Sequence, residues 1–214
     1  SPPNVAERGL FGRPTLVHNL ETLHRLRDIL DGGPEAFAAT GRHGSRGLRS
    51  FSLRGRVNYQ GVHVAPARIT ARELIDEYGG GMPQGHRLKA YFPGGASGGI
   101  LPARLADIPL DFDTLAEYGC FIGSAAVIVL SQYDSVRAAA LNTMRFFARE
   151  SCGQCTPCRS GTAKAMRVMA QPTWDRAALE ELSQVMADAS ICGLGQAAPN
   201  PLLCALRYFP EECR

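Results

Sequence analysis

Glu150-Ser-Cys-Gly-Gln-Cys-Thr-Pro-Cys-Arg-Ser-Gly161 decides how the rest of this chain is read. Cys152, Cys155 and Cys158 recur at three-residue spacing around Gly153 and Pro157, so one short loop delivers three soft thiolates. A tetrahedral zinc site draws a Cys-x2-Cys pair from each of two loops, because a third thiolate from the same few residues is hard to aim at one small ion. An iron–sulfur cube is larger and offers separate iron corners, and this is the spacing with which bacterial clusters are held. Such runs continue with a Cys-Pro. Here Arg159-Ser160-Gly161 follows, so the loop is one ligand short of a [4Fe–4S] cluster. Two other readings stand beside the cluster: a zinc-stapled scaffold, and redox-active or merely buried thiols, for which such close spacing has no packing rationale.

The fourth thiolate has to come from Cys120, Cys192, Cys204 or Cys213. Cys192 sits in Ser190-Ile-Cys-Gly-Leu-Gly195, whose glycines let the backbone bend toward a cluster. Cys204 follows Leu202 and Leu203 inside a helical pattern and reads as core, Cys120 precedes an apolar strand and reads as a small buried hydrophobe, and Cys213 lies at an end expected to fray. Cys192 is the best partner, and it would make the cluster a staple between two helix–helix loops.

The flanking sequence supports a helical setting for this loop. Ser135 or Asp134 caps a helix with Val136, Ala140, Leu141, Met144 and Phe147 on its buried face, and helical spacing resumes at Thr162 and runs to Met169. Asp175 caps a further helix through Leu179, Leu182, Val185 and Met186, and Asn200-Pro201 opens the last one. The final hundred residues therefore read as a four-helix arrangement.

Upstream the pattern changes. Phe51, Leu53, Val57, Val62 and Val64 alternate on either side of a turn at Asn58-Tyr-Gln-Gly61, the signature of a β-hairpin. Thr70-Ala-Arg-Glu73 has the form of a capping box and starts a short helix that Gly79-Gly-Gly81 ends, and a strand follows over Leu88 to Phe92. Hairpin, helix and strand predict a small α+β module of β-grasp type. Gly94-Gly-Ala-Ser-Gly-Gly99 fits neither phosphate-binding nor dinucleotide fingerprints and reads as a tight turn. Asp111 and Asp113 read as a helix cap and a solvated charge. At the start of the chain, Leu20, Leu23, Leu26, Ile29 and Leu30 mark a helix with Thr15 or Asn19 near its first turn, ended by Gly32-Gly-Pro34.

Composition bounds the function. The 214 residues carry a formal charge of +3 and 45% hydrophobic content, enough for a core and one or two domains. The charge forms no basic stripe interleaved with aromatics, so nucleic acid is not an expected partner. The longest apolar run, Ala125 to Leu130, is far short of the ~20 residues that cross a bilayer, so no direct membrane insertion is expected. Seven cysteines, an odd number at cluster spacing, argue for a reducing compartment such as the cytoplasm rather than a disulfide framework. The chain opens with Ser-Pro-Pro rather than Met and lacks a secretory signal, as a fragment or processed product would.

Taken together, Glu150–Gly161 and Ser190-Ile-Cys-Gly-Leu-Gly-Gln-Ala-Ala-Pro199 resemble the NADH-binding flavoprotein subunit of respiratory complex I and its relatives in NAD-reducing hydrogenases and NAD-dependent formate dehydrogenases. Gly9-Leu-Phe-Gly-Arg-Pro-Thr-Leu-Val-His-Asn-Leu-Glu-Thr22 and Pro109-Leu-Asp-Phe-Asp-Thr-Leu115 carry the likeness further, so that it spans nearly the whole chain. Gly94 to Pro102 and Gly195 to Pro201 look most like the formate dehydrogenase branch.

The resemblance implies an α+β chain of three parts: a C-terminal remnant of a flavin-binding domain over 1–47, a β-grasp module over 48–109, and a helical [4Fe–4S]-binding bundle over 110–214. It implies ligation by Cys152, Cys155, Cys158 and Cys192, in agreement with the spacing. It makes Val17, His18, Asn19 and Thr22 one wall of an FMN site and brings the backbone of Gly193 and Leu194 to the flavin from the other side. The cofactors are then the cluster, with FMN and NAD in the full-length protein, and the partners are other iron–sulfur subunits of a multisubunit oxidoreductase. The relatives' glycine-rich NADH- and FMN-binding domain has no counterpart in this sequence, so the chain alone is expected neither to oxidise NADH nor to hold FMN tightly. His18 departs from the Asn found in some relatives but retains hydrogen-bonding capacity.

Overall fold

The structure, a computed structural model, describes residues 4–214. An N-terminal turn leads to helix α1, Leu20–Gly32, and the short helix α2, Pro34–Ala38. Of the two caps offered near the start, Asn19 is the one used. Its side chain accepts from the amides of Glu21 and Thr22, and Thr15 instead closes the preceding loop by accepting from Leu10 N–H. Gly32-Gly-Pro34 ends α1 as expected, but Pro34 also begins α2, where the missing N–H costs nothing.

Strands β1, Leu48–Gly55, and β2, Gly61–Pro66, form the predicted hairpin, with Phe51 and Leu53 on its buried face. Helix α3, Ala71–Glu73, runs into a π-helical turn over Leu74–Tyr78. The capping box is complete: Glu73 N–H donates to Thr70 Oγ1 at 3.1 Å, and Thr70 N–H donates to Glu73 Oε2 at 2.8 Å. Strand β3, Leu88–Phe92, and the two-residue β4, Leu101–Pro102, follow, then helix α4, Phe112–Ala116, capped by Asp111 as predicted. Asp113 is not simply solvated, because it pairs with Arg68.

Strand β5, Ala126–Ser131, corrects the division made from sequence. It lies beyond residue 109, in the part read as helical, yet it is the central strand of the sheet, whose order is β2-β1-β5-β3-β4. It runs parallel to β1, with Leu53 opposite Val127, and antiparallel to β3. The hairpin, the crossing helix and a last strand parallel to the first make this a β-grasp, which needs the fifth strand to close the gap between its two halves. Leu74 and Ile75 pack beneath the sheet, and the buried Tyr91 donates its hydroxyl to the Leu105 carbonyl at 2.8 Å.

The bundle follows without a break: α5, Val136–Glu150; α6, Thr156–Met169; α7, Arg176–Ala189; α8, Gly193–Ala197; and α9, Asn200–Tyr208. Ser135 and Asp175 cap α5 and α7 through the amides of Ala138 and Ala178. Three details depart from the sequence reading. Helix α6 begins at Thr156 rather than Thr162, because Pro157 suits a first helical turn, and so Cys158 is on the helix. Asn200 does not cap α9. The chain enters that helix from α8 with Pro199 already helical, leaving no cap position to fill, and Asn200 Nδ2 donates instead to the Ser97 carbonyl at 2.9 Å. The end of the chain is not frayed: Cys213 is buried in a 3-10 turn, and Glu212 both accepts from Val136 N–H and pairs with Lys89 at 2.7 Å.

One hydrophobic core runs from the sheet into the bundle, including Leu53, Val129, Ala140, Met144, Ala165, Leu179 and Leu202. Cys120 and Cys204 meet within it, sulfur to sulfur at 3.5 Å. Among the described residues no helix is long and apolar enough to cross a membrane.

Candidate metal centre

The loop between α5 and α6 and the loop between α7 and α8 lie at the same end of the bundle, where they enclose a cavity of about 130 Å³. Cys152, Cys155, Cys158 and Cys192 all line it, together with Ser151 and Leu194. Cys152 and Cys192 are exposed, Cys155 is half-buried and Cys158 is buried. Cys120, Cys204 and Cys213 are buried elsewhere; the neighbouring Cys204 sulfur and burial push the Cys120 thiol up, and burial pushes Cys213 up to about 11.

The backbone prepares this end for negative charge. Cys155 is the residue immediately before α6, and Cys192 immediately before α8, so both thiols sit at positive helix ends. The amides of Ile191 and Cys158 hold the Cys155 thiol below its usual range. Gly153 takes a left-handed turn with φ of 79°, which only glycine adopts without cost, and its carbonyl accepts from the Arg159 guanidinium. Arg159 thereby keeps the loop closed and leaves a positive charge beside it.

Two hydroxyls complete the surroundings, and sequence reading identified neither. Ser151 Oγ lies 3.3 Å from Cys158 Sγ. Ser190 Oγ is buried and, among the described residues, has no hydrogen-bond partner within normal distance. The only sequence signal was their place next to the cysteine motifs, which a serine shares with any loop residue.

These features fit a polynuclear cluster. Four soft thiol donors surround one cavity, the donor set that iron–sulfur clusters take, and among the described residues one buried hydroxyl beside them has no protein partner.

The residues read as a flavin wall lie elsewhere. Asn19 and Thr22 line a larger recess of about 620 Å³ between α1 and the sheet, with Arg25, Leu26, Arg49 and Phe112. Val17 and His18 are exposed and do not line it, and His18 Nδ1 accepts from Asn19 N–H at 2.9 Å. Leu194 lines the cysteine cavity, whereas Gly193 does not. The two cavities share no lining residue. Gly94–Gly99 forms a buried turn as expected and lines neither cavity.

A β-grasp sheet continued into a helical bundle with four cysteines at one end defines an iron–sulfur-binding module, and residues 138–214 match the family described as the NADH-ubiquinone oxidoreductase-F iron-sulfur binding region. Over 99% of its length the chain is 34% identical to the HndC component of the NADP-reducing hydrogenase of Solidesulfovibrio fructosivorans, covering 44% of it. It is 38% identical to the F component of the NADH-quinone oxidoreductase of Rhodobacter capsulatus, covering 51%. Among solved structures, an NAD+-reducing [NiFe]-hydrogenase in the H2-reduced state superimposes on the whole chain with a TM-score of 0.80 at 31% identity, over 37% of its own chain. Over its whole length the chain is thus similar to the F component of NADH-quinone oxidoreductases and to components of hydrogenases that reduce NAD or NADP. It spans about half the length of the curated relatives it matches.

Proposed function

We propose that this chain is the electron-transfer portion of the flavoprotein component of an NAD(H)-dependent oxidoreductase, in which Cys152, Cys155, Cys158 and Cys192 hold a [4Fe–4S] cluster. The observation that carries the reading is that four cysteines from two separate loops line a single cavity. A bound cluster supplies one-electron storage, and FMN in the whole flavoprotein supplies the two-electron step with NAD. The chain's own residues hold the four corners, present the amides of Ile191 and Cys158 to the most stabilised thiolate, and keep Arg159 beside the loop. The half-buried position suits a relay, since the exposed Cys152 and Cys192 give a short path outward.

Within this reading Val17, His18, Asn19 and Thr22 face the flavin in the whole flavoprotein, and Gly193 and Leu194 approach it from the cluster side. The exposure of Val17 and the place of Leu194 on the cysteine cavity support that arrangement. Other iron–sulfur subunits of a multisubunit complex are the electron partners. The Gly94 to Pro102 and Gly195 to Pro201 segments favour a formate dehydrogenase as the parent enzyme.

A second reading, a docking module whose cluster is purely structural, is favoured by one observation: Leu10, Phe11, Leu16 and Leu20 leave an apolar surface exposed near the start of the chain. Iron, acid-labile sulfide and flavin quantified together on anaerobically purified chain, followed by electron paramagnetic resonance before and after dithionite, separate the readings. Four irons and four sulfides with a signal that appears on reduction are expected; zinc instead of iron would end the proposal, and a cluster that dithionite cannot reduce would leave only the structural role.

A further inference from the structure

The last residue before the second cysteine loop carries a polar group with nothing to bind among the described residues. Ser190 closes α7: its N–H donates to the Met186 carbonyl at 3.3 Å, and its carbonyl accepts from Gln196 Nε2 at 3.0 Å. Its backbone is therefore held on both sides, and the side chain is only 5% exposed. The hydroxyl nevertheless has no hydrogen-bond partner among the described residues. A buried, unpaired hydroxyl costs about 1–3 kcal/mol, which a fold does not carry without a compensating acceptor.

Gly195 shows that the space around this hydroxyl is kept on purpose. A Cβ at that position would stand 2.4 Å from Ser190 Oγ and 2.8 Å from Cys158 Cβ. The bare glycine lets α8 close onto Ser190 and Cys158 together, so the hydroxyl is buried next to Cys158 rather than turned to solvent.

We propose that the Ser190 hydroxyl donates a hydrogen bond to a sulfur at the cysteine site when the cluster is bound, and that this bond sets the cluster's reduction potential. The inference rests on the ligation proposed above. Reduction adds one electron to the cluster and makes its sulfurs better acceptors, so a donor stabilises the reduced form more than the oxidised one. Ser190 is a tuning residue and not a ligand. Removing its hydroxyl leaves four thiolates in place and makes reduction harder.

The test uses the chain reconstituted anaerobically with ferrous iron and sulfide, titrated with dithionite and followed by electron paramagnetic resonance. Ser190→Ala is expected to retain four irons and to lower the one-electron reduction equilibrium constant about tenfold, a shift of about 59 mV to more negative potential. Ser190→Thr, which restores a hydroxyl, returns the potential toward that of the parent. Pulsed resonance in D2O reads the donor directly: an exchangeable deuteron coupling present in the parent and in Ser190→Thr disappears in Ser190→Ala. Should Ser190→Ala lose iron, Ser190→Gly removes the hydroxyl with less steric demand and is read in the same way. An unchanged potential in a hydroxyl-free variant that keeps its iron, or a deuteron coupling retained there, overturns the proposal while leaving the ligation intact. Failure of the parent chain itself to assemble iron and sulfide overturns the ligation, and this inference with it.

Discussion

The sheet and the cysteine end of the bundle are stabilised in opposite ways. In the β-grasp, Phe51, Leu53, Leu74, Tyr91 and Val129 are all fully buried, the capping box of Thr70 and Glu73 is complete, and the Tyr91 hydroxyl has its acceptor. Every requirement is met by the chain itself. At the cysteine end, two thiols are exposed, a cavity stands among them, and Ser190 Oγ has no partner among the described residues. One region completes its structure with protein atoms alone, while the other has the open, donor-lined form that the proposed cluster would fill.

The contrast can be broken most severely at Cys155. Replacement by alanine removes one of the four proposed ligands, and because metal-site binding energy is also folding energy, the loss is expected to exceed about 3 kcal/mol for the bundle. Visible absorbance and iron content should fall to background, whereas the amide protection of β1, β3 and β5 should persist by hydrogen exchange. Loss of sheet protection in the same variant would show that the two regions are not separable.

Leu53→Ala attacks the other side. This side chain is wholly buried where β1 meets β5, and its truncation should cost about 2–5 kcal/mol, read as a lowered midpoint in urea. The loss should be similar with and without iron. A penalty that depended on iron would couple the sheet core to the cluster.

Gly195→Ala sharpens the comparison at smaller scale. The added methyl collides with Ser190 Oγ and Cys158 Cβ, and α8 must move, at about 1–3 kcal/mol. Iron per chain should fall measurably and β-sheet stability should not. Full iron retention would show that α8 has more freedom than its packing implies.

The smallest effect concerns the joint between the regions. Arg56 on the β1–β2 turn holds Asp134, just before α5, down to about 2, helped by the amide and hydroxyl of Ser131. A carboxylate depressed in the folded state stabilises fully above its unfolded value near 3.8 and loses that contribution as pH falls toward about 2. Discounted for solvent screening, the amount is about 1 kcal/mol. Asp134→Asn should therefore lower stability at pH 7 by about that amount and flatten its pH dependence between about 4 and 2, as read by urea melts across that range.

How much of this could be read in advance depended on the range of the interaction. The hairpin, the Thr70 capping box, Leu88–Phe92 and the caps Asp111, Ser135 and Asp175 are contacts within a few residues, and each stands where local patterning put it. The membership of β5 in the sheet was not legible, because a continuous apolar run does not say which distant strand it joins, and a parallel partner more than 70 residues away leaves no turn to mark it. Nor was the burial of Cys213, which depends on Glu212 reaching Lys89 and Val136.

The sequence by itself determined the candidate donors. Cysteine spacing and a glycine-relaxed second loop named Cys152, Cys155, Cys158 and Cys192, since ligand chemistry is carried by residue type and spacing. Only the tertiary structure decided that the two loops face one cavity, that β5 binds sheet and bundle into one core, and that Ser190 is left with an unanswered hydroxyl. Whether a polar group is satisfied depends on everything packed around it, and no linear pattern records that.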